Sequence, residues 1–494
     1  MGALQSRDPG FEVGGGHAAW ACARLAARDP WSAVGHLRAA LRARFLDPEL
    51  HRLLGHACDM LNDPGAAADS YRRSLAFGGE PSRVLPFLAR ALSRSGRPRE
   101  AVRTWCRQLR AGGEDAAALS GLGLALAELG KLGSARTFTG RATRLAPGWA
   151  GGHGNHGSVL YRSHALDEAL AAFRRALALA PGDLVARYHI SLAHLTRGDY
   201  RRGFADFDAH LRLWAPGFRG GAPPQRPRPG QTLLVQAHNG LGDTLQFVRY
   251  VPRLAALGAS VVLVVQDRLR PLLQGFPGAE RVLGPGEPPP AHDASLSLLE
   301  MPRVFDDTLD TLPAQVPYLR ADPRRVHHWA GRLGGEGTLR VGLVWHGNPA
   351  QRDGLYRSCP LRELDGLRDV EGVTFYSLQL GAGSEELGPS PRGLPVRDLS
   401  AQLDLQGGFL DTAAVLECLD LLISVDTSVC HLAGALGRPV WLLLPDWADW
   451  RWGLGTRRSP WYPSFRLFRQ PRPFDWAAVV RGVRKELRAL ATAR

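Results

Sequence analysis

The sequence predicts two regions of different fold class: an array of helical repeats, followed by an α/β region with two lobes. A 34-residue period runs from Gly14 to Gly217 and predicts the array. After Gly230, short apolar strands alternate with helical patterns, which is typical of parallel sheets. The length of 494 residues also favours two or three domains over one.

Small and bulky residues that recur at fixed positions set the register of the repeats. The six segments begin at Gly14, Pro48, Ser82, Ala116, Ala150 and Leu184. Small residues occupy the eighth and twentieth positions: Ala21 and Ala33, Gly55 and Ala67, Ala89 and Ala101, Gly123 and Ala135, Gly157 and Ala169, Ser191 and Gly203. The twenty-fourth position is bulky except at Thr139: Leu37, Tyr71, Trp105, Phe173 and Phe207. Because antiparallel helices approach closely only at small residues, we expect the small pair at each crossing and the bulky residue in the groove beside it.

This pattern resembles the tetratricopeptide repeat (TPR) family and covers about two fifths of the chain. A single repeat cannot bury its own apolar face, so the six units are expected to stack into an α-solenoid. The resemblance implies a protein or peptide partner on the concave face, and a spacer or oligomerisation device is the alternative. His153, His156, His189 and His194 lack acidic companions in the pattern, so we interpret them as ordinary helix residues rather than metal ligands.

Composition argues against several other classes of protein. The net charge is +14, but the basic residues are scattered arginines without interleaved aromatics, which favours a solvated surface over nucleic-acid binding. The six cysteines form no C-x-x-C pair, so reduced thiols in a cytoplasmic protein are the simplest interpretation. We predict no transmembrane segment, because no apolar run reaches about 18 residues, and no secretory signal.

The predicted domain boundaries follow these changes of pattern. The repeats occupy residues 14–217, and a linker rich in Gly and Pro occupies residues 218–230. A first lobe is expected at 231–322 and a second at 323–494, with ligands bound where the carboxyl ends of parallel strands meet loops and helix N-termini.

The first candidate site follows the apolar strand that ends before Asp426. Thr427 and Ser428 open a helix whose free N–H groups suit a diphosphate, and Asp426 suits sugar or ribose hydroxyls. His431 lies one turn along on the face of Thr427 and is placed to reach the cleft. The alternative is a plainly capped helix with a core histidine, and spacing alone does not separate the two.

The second candidate is the segment Gly240-Leu241-Gly242-Asp243, directly after the first predicted strand. Gly240 and Gly242 would let the backbone approach a ligand. Asp243 would then lie at the cleft mouth, where a carboxylate can deprotonate an acceptor hydroxyl. The alternative is that Asp243 caps a helix that begins at Thr244.

Two further loops supply candidates after the strand RVGLVW and the strand TFYSLQ. Asn348 suits hydroxyls or phosphate, and Arg352 and Arg357 suit a leaving diphosphate without a metal. Gln379 suits a base or ribose. The segment from Asp446 to Gln470 combines tryptophans with arginines, which is typical either of sugar or nucleotide stacking or of a hydrophobic plug.

Taken together, the motifs GLGDTLQF, GLVWxGNP, RS-x-P-L, SLQ, SVDTSVxHLAGALGRPVW and SPWYPSFRLFRQ resemble bacterial TPR-linked glycosyltransferases. The second half of the chain is similar to the heptosyltransferase family, glycosyltransferase family 9. That resemblance implies the two-lobed Rossmann-like fold called GT-B and inverting transfer of a sugar from a nucleotide-sugar. It also implies no metal and no cofactor besides the donor substrate.

The resemblance also assigns roles to individual residues. It places the general base at Asp243 and a phosphate contact near Arg357. It places donor binding at Asp426, Thr427, Ser428 and His431. The loop QRDGLYRS departs from the family, whose members usually carry His and Asn before R-S.

Two main functions therefore remain open. The first is a metal-independent inverting glycosyltransferase whose repeats recruit the acceptor or a partner protein. The second is a TPR interaction scaffold with an inactive transferase domain, and a basic RNA-binding repeat protein is a third, more remote alternative.

Overall fold

The computed structural model describes residues 9–214, 218, 226–349, 351, 354–388, 393–405 and 407–493. The predicted linker lies partly outside this set, since residues 219–225 are not described. The chain divides into two compact units, Met1–Ala186 and Arg187–Arg494.

Antiparallel helix pairs build the first unit. Its helices are α1 (Pro9–Ala26), α2 (Pro30–Ala43), α3 (Pro48–Met60), α4 (Pro64–Ala76), α5 (Pro81–Arg94), α6 (Pro98–Gly112), α7 (Ala116–Glu128), α8 (Leu132–Leu145), α9 (Ala150–Arg162) and α10 (Leu166–Leu179). The second helix of each pair from α4 to α10 begins 34 residues after the last, at residues 64, 98, 132 and 166. The predicted helical solenoid and its period are therefore confirmed.

Capping residues explain where several of these helices begin. Asp47, Asp63 and Asp115 each precede a helix and accept hydrogen bonds from the free backbone N–H groups of its first turn. Pro48 and Pro64 occupy the first helical position, where the missing N–H of proline costs nothing. Sequence-local chemistry therefore fixes these boundaries without help from distant contacts.

The small eighth residue of a repeat packs directly against the bulky twenty-fourth. A Cβ atom on Gly157 would lie 2.7 Å from the Phe173 ring, and one on Gly55 would lie 2.6 Å from the Tyr71 ring. The bulky ring that we expected beside the small pair therefore contacts the eighth residue of its own repeat. This contact ties the two helices of a repeat together.

We expect Gly157→Ala to destabilise the first unit by about 1–3 kcal/mol, because the added methyl would overlap the Phe173 ring. Gly154→Ala, in the same helix, is the matched control, because a Cβ there meets no atom within 4 Å. That change should be neutral or should stabilise by up to about 1 kcal/mol through helix propensity. Thermal unfolding followed by circular dichroism measures both, and equal effects of the two variants would contradict the packing argument.

Three helices at the start of the second unit continue the repeat pattern. They are α11 (Leu184–Arg197), which begins just before the unit boundary, α12 (Tyr200–Ala205) and α13 (Asp208–Trp214). Ser191 donates a hydrogen bond to the carbonyl of Gly203 at 2.7 Å, which joins the eighth and twentieth positions of the sixth repeat. Most of the sixth repeat is therefore part of the second compact unit, together with the C-terminal region.

A four-stranded parallel sheet forms the first lobe. Its strands are β1 (Thr232–Gln236), β2 (Ser260–Val264), β3 (Arg281–Leu283) and β4 (Ala294–Ser297), in the spatial order β3-β2-β1-β4. Its helices are α14 (Leu241–Phe247), α15 (Val251–Ala256), α16 (Arg270–Leu273) and α17 (Met301–Val304). Strand β1 has the predicted bounds, whereas the single helix expected from Thr244 to Leu257 begins at Leu241 and is broken into α14, a short 3-10 turn and α15, with Pro252 at the start of α15.

A six-stranded parallel sheet forms the second lobe. Its strands are β5 (Leu339–Val344), β6 (Val373–Ser377), β7 (Val396–Asp398), β8 (Leu421–Val425), β9 (Val440–Leu444) and β10 (Phe465–Arg469), in the order β10-β9-β8-β5-β6-β7. Its helices are α18 (Pro323–Leu333), α19 (Gly354–Arg357), α20 (Leu361–Leu364), α21 (Leu410–Cys418), α22 (Ser428–Ala435) and α23 (Trp476–Thr492). The region after the repeats therefore contains the expected parallel sheets. Strands β7 and β10 were not predicted.

In the part of the chain that the structure describes, no helix is both long enough and apolar enough to cross a membrane. The large buried side chains instead fill the space around the two sheets. Trp345, Trp452, Trp461, Tyr250 and Tyr376 are almost fully buried within the second unit.

Candidate functional site

The topology of the second sheet places the candidate loops together. Its strand order, read from β7 to β10, is that of a doubly wound sheet, in which the strand order reverses between the neighbours β5 and β8. The loop after β5 carries Asn348, and the loop after β8 carries Asp426. Ligands of such sheets bind in the crevice at this reversal, so the architecture supports a site between these two loops.

Asp426 lies at the centre of a buried polar group. Its Oδ2 accepts a hydrogen bond from Trp452 Nε1 at 2.9 Å, and its Oδ1 lies 3.6 Å from His431 Nε2. Burial raises the pKa of this carboxyl. The nearby imidazole of His431, the positive charge of Arg357 and the hydrogen bond from Trp452 outweigh that effect and hold the pKa well below its ordinary value. Asp426 is therefore a carboxylate at neutral pH.

The helix that begins at Ser428 starts where the sequence predicted. Thr427 precedes it in an extended conformation, and its side chain makes no capping hydrogen bond. The first N–H groups of α22 are consequently not satisfied by the residue that usually caps them. Such a helix N-terminus suits an anionic group, and the roles of Thr427 and Ser428 in donor binding stay predictions.

His431 is buried between the two lobes. Its Nδ1 is 3.0 Å from the Tyr462 hydroxyl, and a Cβ atom on Gly242 would lie 2.8 Å from His431 Cδ2. Helices α14 and α22 pack against each other at this point. Gly242 is thus needed for close packing of the lobes, a physical reason for this glycine that the sequence did not indicate.

Asp243 lies in the first turn of α14 rather than in a loop before the helix. Its Oδ2 accepts a hydrogen bond from the backbone N–H of Gly240 at 3.0 Å, and its Oδ1 forms an ion pair with Arg451. Asp243 therefore caps a helix, as the structural alternative predicted, but the helix begins at Leu241 and not at Thr244. Both carboxylate oxygens of Asp243, the proposed general base, therefore already have a partner within the protein.

Arg451 belongs to the segment of tryptophans and arginines that the sequence indicated, and it joins the two lobes. It donates to Asp449 at 2.9 Å and to Gln246 Oε1 at 2.6 Å, and its side chain is only 10% exposed. Burial lowers the pKa of this guanidinium, but Asp449 and Asp243 outweigh burial and raise it. Arg451 therefore remains charged and stabilises the carboxylates around it.

The remaining predicted residues differ in their contacts, since one acts on Asp426 and two hydrogen-bond to the backbone. Arg357 pairs with Gln351, and its charge acts on Asp426 as described above. Asn348 accepts a backbone hydrogen bond from Gln351 through its carbonyl at 3.1 Å. Gln379 is buried and its side-chain oxygen accepts from the backbone N–H of His346 at 2.9 Å, so its amide holds the end of β5. Arg352 lies outside the described residues.

Sequence reasoning missed a residue of the sixth repeat that reaches this region. His210 of α13 lies 2.8 Å, through its Nε2, from the side-chain nitrogen of Asn239, which directly precedes Gly240. Burial lowers the pKa of His210, whereas its hydrogen bond to Asn239 and the charge of Asp243 raise it less. His210 is thus neutral at pH 7 and accepts from Asn239.

The tryptophans after Asp446 form a plug rather than an open stacking platform. Trp450, Trp452 and Trp461 are 3%, 0% and 0% exposed. Tyr200 of the last repeat stacks on Trp461, with ring centroids 5.9 Å apart. Of the two interpretations offered by the sequence, the structure favours hydrophobic packing for these three residues.

One group of potential metal ligands occurs among the described residues. A carboxylate oxygen of Asp426, Cys430 Sγ and a His431 nitrogen lie within 4.8 Å of one another. Burial raises the pKa of the Cys430 thiol well above its usual value, and its Sγ donates to the carbonyl of Thr427 at 3.0 Å. The absence of a bound metal remains a prediction.

The repeat histidines have protein partners. His156 Nδ1 is 2.8 Å from the Thr139 hydroxyl, and His153 Nε2 is 3.0 Å from the carbonyl of Pro147. His194 Nδ1 lies 3.4 Å from Asp199, so the expectation that these histidines lack acidic companions is wrong at this position.

Comparison with known proteins identifies the repeats. Residues 18–81, 88–148 and 155–217 match the model of the tetratricopeptide repeat. This match shows TPR repeats in the N-terminal region and supports a protein-interaction role for them.

One curated relative matches beyond the repeats. Protein FlbA of Caulobacter vibrioides is 26% identical over 385 residues, a match that covers 72% of this chain. Because the repeats make up less than half of the chain, the similarity extends into the C-terminal region. The match covers 64% of the length of FlbA.

Solved TPR structures also resemble parts of this chain. YrrB, described as a TPR protein with an unusual peptide-binding site, is 20% identical with a TM-score of 0.30, over 34% of this chain and 88% of YrrB. The type IV pilus biogenesis factor PilW is 15% identical with a TM-score of 0.37, over 44% of this chain and 97% of PilW.

Proposed function

We propose that the C-terminal region adopts the GT-B arrangement and is a metal-independent, inverting glycosyltransferase that binds a nucleotide-sugar. We further propose that the TPR repeats recruit the acceptor or a partner protein. The observation that carries this proposal is the crevice between β5 and β8, where a helix N-terminus without a side-chain cap lies beside Asp426 and near Arg357.

The charges of this crevice suit a diphosphate. The Nε of Arg357 is buried and makes no hydrogen bond among the described residues. A buried donor without a partner costs free energy, and a phosphate oxygen would satisfy it. The N-terminal N–H groups of α22 would bind further phosphate oxygens, so the developing negative charge would be stabilised without a metal.

The acceptor side of the proposed reaction depends on Asp243. Inverting transfer requires removal of a proton from the acceptor hydroxyl, and a carboxylate at the mouth of the crevice suits that task. Asp243 is already paired with Arg451, so the hydroxyl must approach Oδ1 or Oδ2 beside the existing donors. Arg451 and the Gly240 N–H would hold the carboxylate of Asp243 in a fixed orientation towards that hydroxyl.

Nucleotide binding tests this proposal directly. The full chain is titrated with UDP, GDP and ADP and their sugars, and thermal unfolding and calorimetry report binding. A nucleotide at 100 times its dissociation constant should add about 2.7 kcal/mol of stability. Arg357→Ala should weaken the dissociation constant by about 10- to 100-fold, because a charge-assisted hydrogen bond is lost.

Arg362→Ala is the matched control, because Arg362 is an exposed arginine of the same lobe, with a side chain that is 80% exposed. It should bind the nucleotide as the unaltered protein does. Equal binding by Arg357→Ala and Arg362→Ala would remove Arg357 from the donor site, and no binding of any nucleotide would overturn the proposal.

A second function is favoured by a separate observation. Both oxygens of Asp243 are engaged by Arg451 and Gly240, and His431 is buried against Tyr462 and Gly242. These contacts are also what a domain without catalysis would retain for stability. In that case the chain is a TPR scaffold, which predicts partner binding by the repeats and no response to nucleotides.

A further inference from the structure

The first unit carries an uneven distribution of charge between the two helices of its repeats. Helix α6, the second helix of the third repeat, has four arginines whose spacing of four, four and three residues places them in one stripe. They are Arg99, Arg103, Arg107 and Arg110, all exposed. Ala101 and Trp105 of the same helix are buried, so the stripe faces away from the core.

These arginines have no ionic partner among the described residues of the first unit. The only acidic residue of α6 is Glu100, which is already paired with Arg72 at 2.7 Å and with Arg97 at 2.6 Å. The stripe is therefore an uncompensated line of positive charge. Because first helices such as α5 and α7 also contact each other across repeats, the second helices form the outer face of the stack.

A cavity opens beside the stripe. It has a volume of about 220 Å³ and lies between α4 and α6. The ion pair of Arg72 with Glu100 connects these two helices at one side of the cavity. Its floor is apolar and is formed by Leu85, Leu88 and Leu92 of α5, and its rim carries Arg103 and Arg107. A cavity of about 150 Å³ suffices for a benzene ring, so one apolar side chain fits here.

The geometry points to an acidic peptide segment with one apolar anchor residue as the ligand of this outer surface. The anchor would enter the cavity, and carboxylates on either side of it would pair with Arg103, Arg107 and their neighbours. Single-stranded RNA is less suited, because its bases stack on aromatic rings and no aromatic residue lines the cavity.

A peptide-binding experiment on the full chain tests this inference. The probe is a fluorescent peptide of glutamates with one central leucine, compared with the same peptide carrying alanine at the centre and with a lysine counterpart. Fluorescence anisotropy should show binding of the leucine peptide, weaker binding of the alanine peptide and none of the lysine peptide. Arg103→Ala with Arg107→Ala should weaken the leucine peptide at least ~10-fold, because two charge-assisted contacts are lost.

Matched variants separate the cavity from general electrostatics. Arg83→Ala with Arg90→Ala removes the same charge from exposed positions of α5 outside the cavity lining, and should change affinity less than about twofold. Thr104→Trp fills the cavity without changing charge, and should abolish the preference for leucine over alanine. Circular dichroism confirms that each variant is folded.

Three outcomes would overturn the inference. The first is no binding of the acidic peptide, and the second is an equal loss in the α5 control. The third is tighter binding of oligouridine RNA or of phosphatidylserine vesicles that depends on Arg103 and Arg107. Nucleotide binding by the C-terminal region is measured separately, so failure here leaves the proposed transferase function untouched.

Discussion

Arg451→Ala should lower the melting temperature of the C-terminal unit by roughly 5–15 °C, the largest effect that we expect from a single substitution. Arg451 is 10% exposed and binds Asp243, Asp449 and Gln246 at once. Removing the guanidinium leaves the partly buried Asp243 and the buried Gln246 without their donor, and each unsatisfied group costs about 1–3 kcal/mol. For a domain of this size each kcal/mol corresponds to a few degrees.

A double-mutant cycle identifies the interaction responsible. Asp243→Ala alone should also destabilise the unit, but adding it to Arg451→Ala should cost little more, because the unpaired carboxylate is then gone. Arg458→Ala is the control from the same segment, since Arg458 is exposed and should change the melting temperature by less than about 1 °C. Additive losses in the cycle would show that Arg451 and Asp243 do not stabilise the unit as a pair.

The second large effect concerns Asp426→Ala, for which we expect a loss of about 2–5 kcal/mol at pH 7. The substitution leaves the Trp452 indole N–H and the His431 ring without their acceptor in a buried place. Each unsatisfied buried group costs about 1–3 kcal/mol. Chemical denaturation of the full chain, followed by tryptophan fluorescence, measures this loss.

This loss should depend on pH in one direction. The pKa of Asp426 is lower in the folded protein than in the unfolded chain, so its ionised form stabilises the fold at neutral pH. That stabilisation is complete above the unfolded pKa of about 4 and disappears as the pH falls towards the folded pKa. The difference between the unaltered protein and Asp426→Ala should therefore narrow below about pH 4.

Asp369→Ala provides the comparison, because Asp369 is an aspartate of the same lobe whose side chain is 59% exposed. It should change the stability by less than about 0.5 kcal/mol at pH 7. A constant difference between Asp426→Ala and the unaltered protein from pH 7 to pH 3 would contradict the assigned ionisation of Asp426. Neither result depends on the identity of the proposed substrate.

The site could be predicted in part from the sequence, because the strand and the helix that form its backbone could be predicted. Asp426 ends an apolar strand and Ser428 begins a helix, and both boundaries follow from residues within a few positions. The contacts of the side chains could not be predicted from the sequence. Whether His431 lines a cleft or fills a core depends on Gly242 and Tyr462, which lie on other elements.

The same distinction explains the error in the helix boundary at Asp243 and the packing contact that stayed open in the repeats. The helix was expected at Thr244 because Asp243 is a good capping residue, but the carboxylate caps from inside the first turn and binds Gly240. In the repeats, the sequence indicated the small and bulky positions, and only the structure showed that the ring lies against the eighth residue.

The sequence by itself determined the 34-residue period and the change to parallel sheets after the repeats, because these patterns recur along the chain. It also determined strands such as β8 and β9, because strands buried at every residue appear as nearly continuous apolar runs. The tertiary structure alone decided the pairing of Asp243 with Arg451, the hydrogen bond between His210 and Asn239, and the burial of Trp452 and Trp461. Asp243 and Arg451 are 208 positions apart. A contact between two single side chains at that distance repeats nowhere along the chain, so only the folded backbone brings it about.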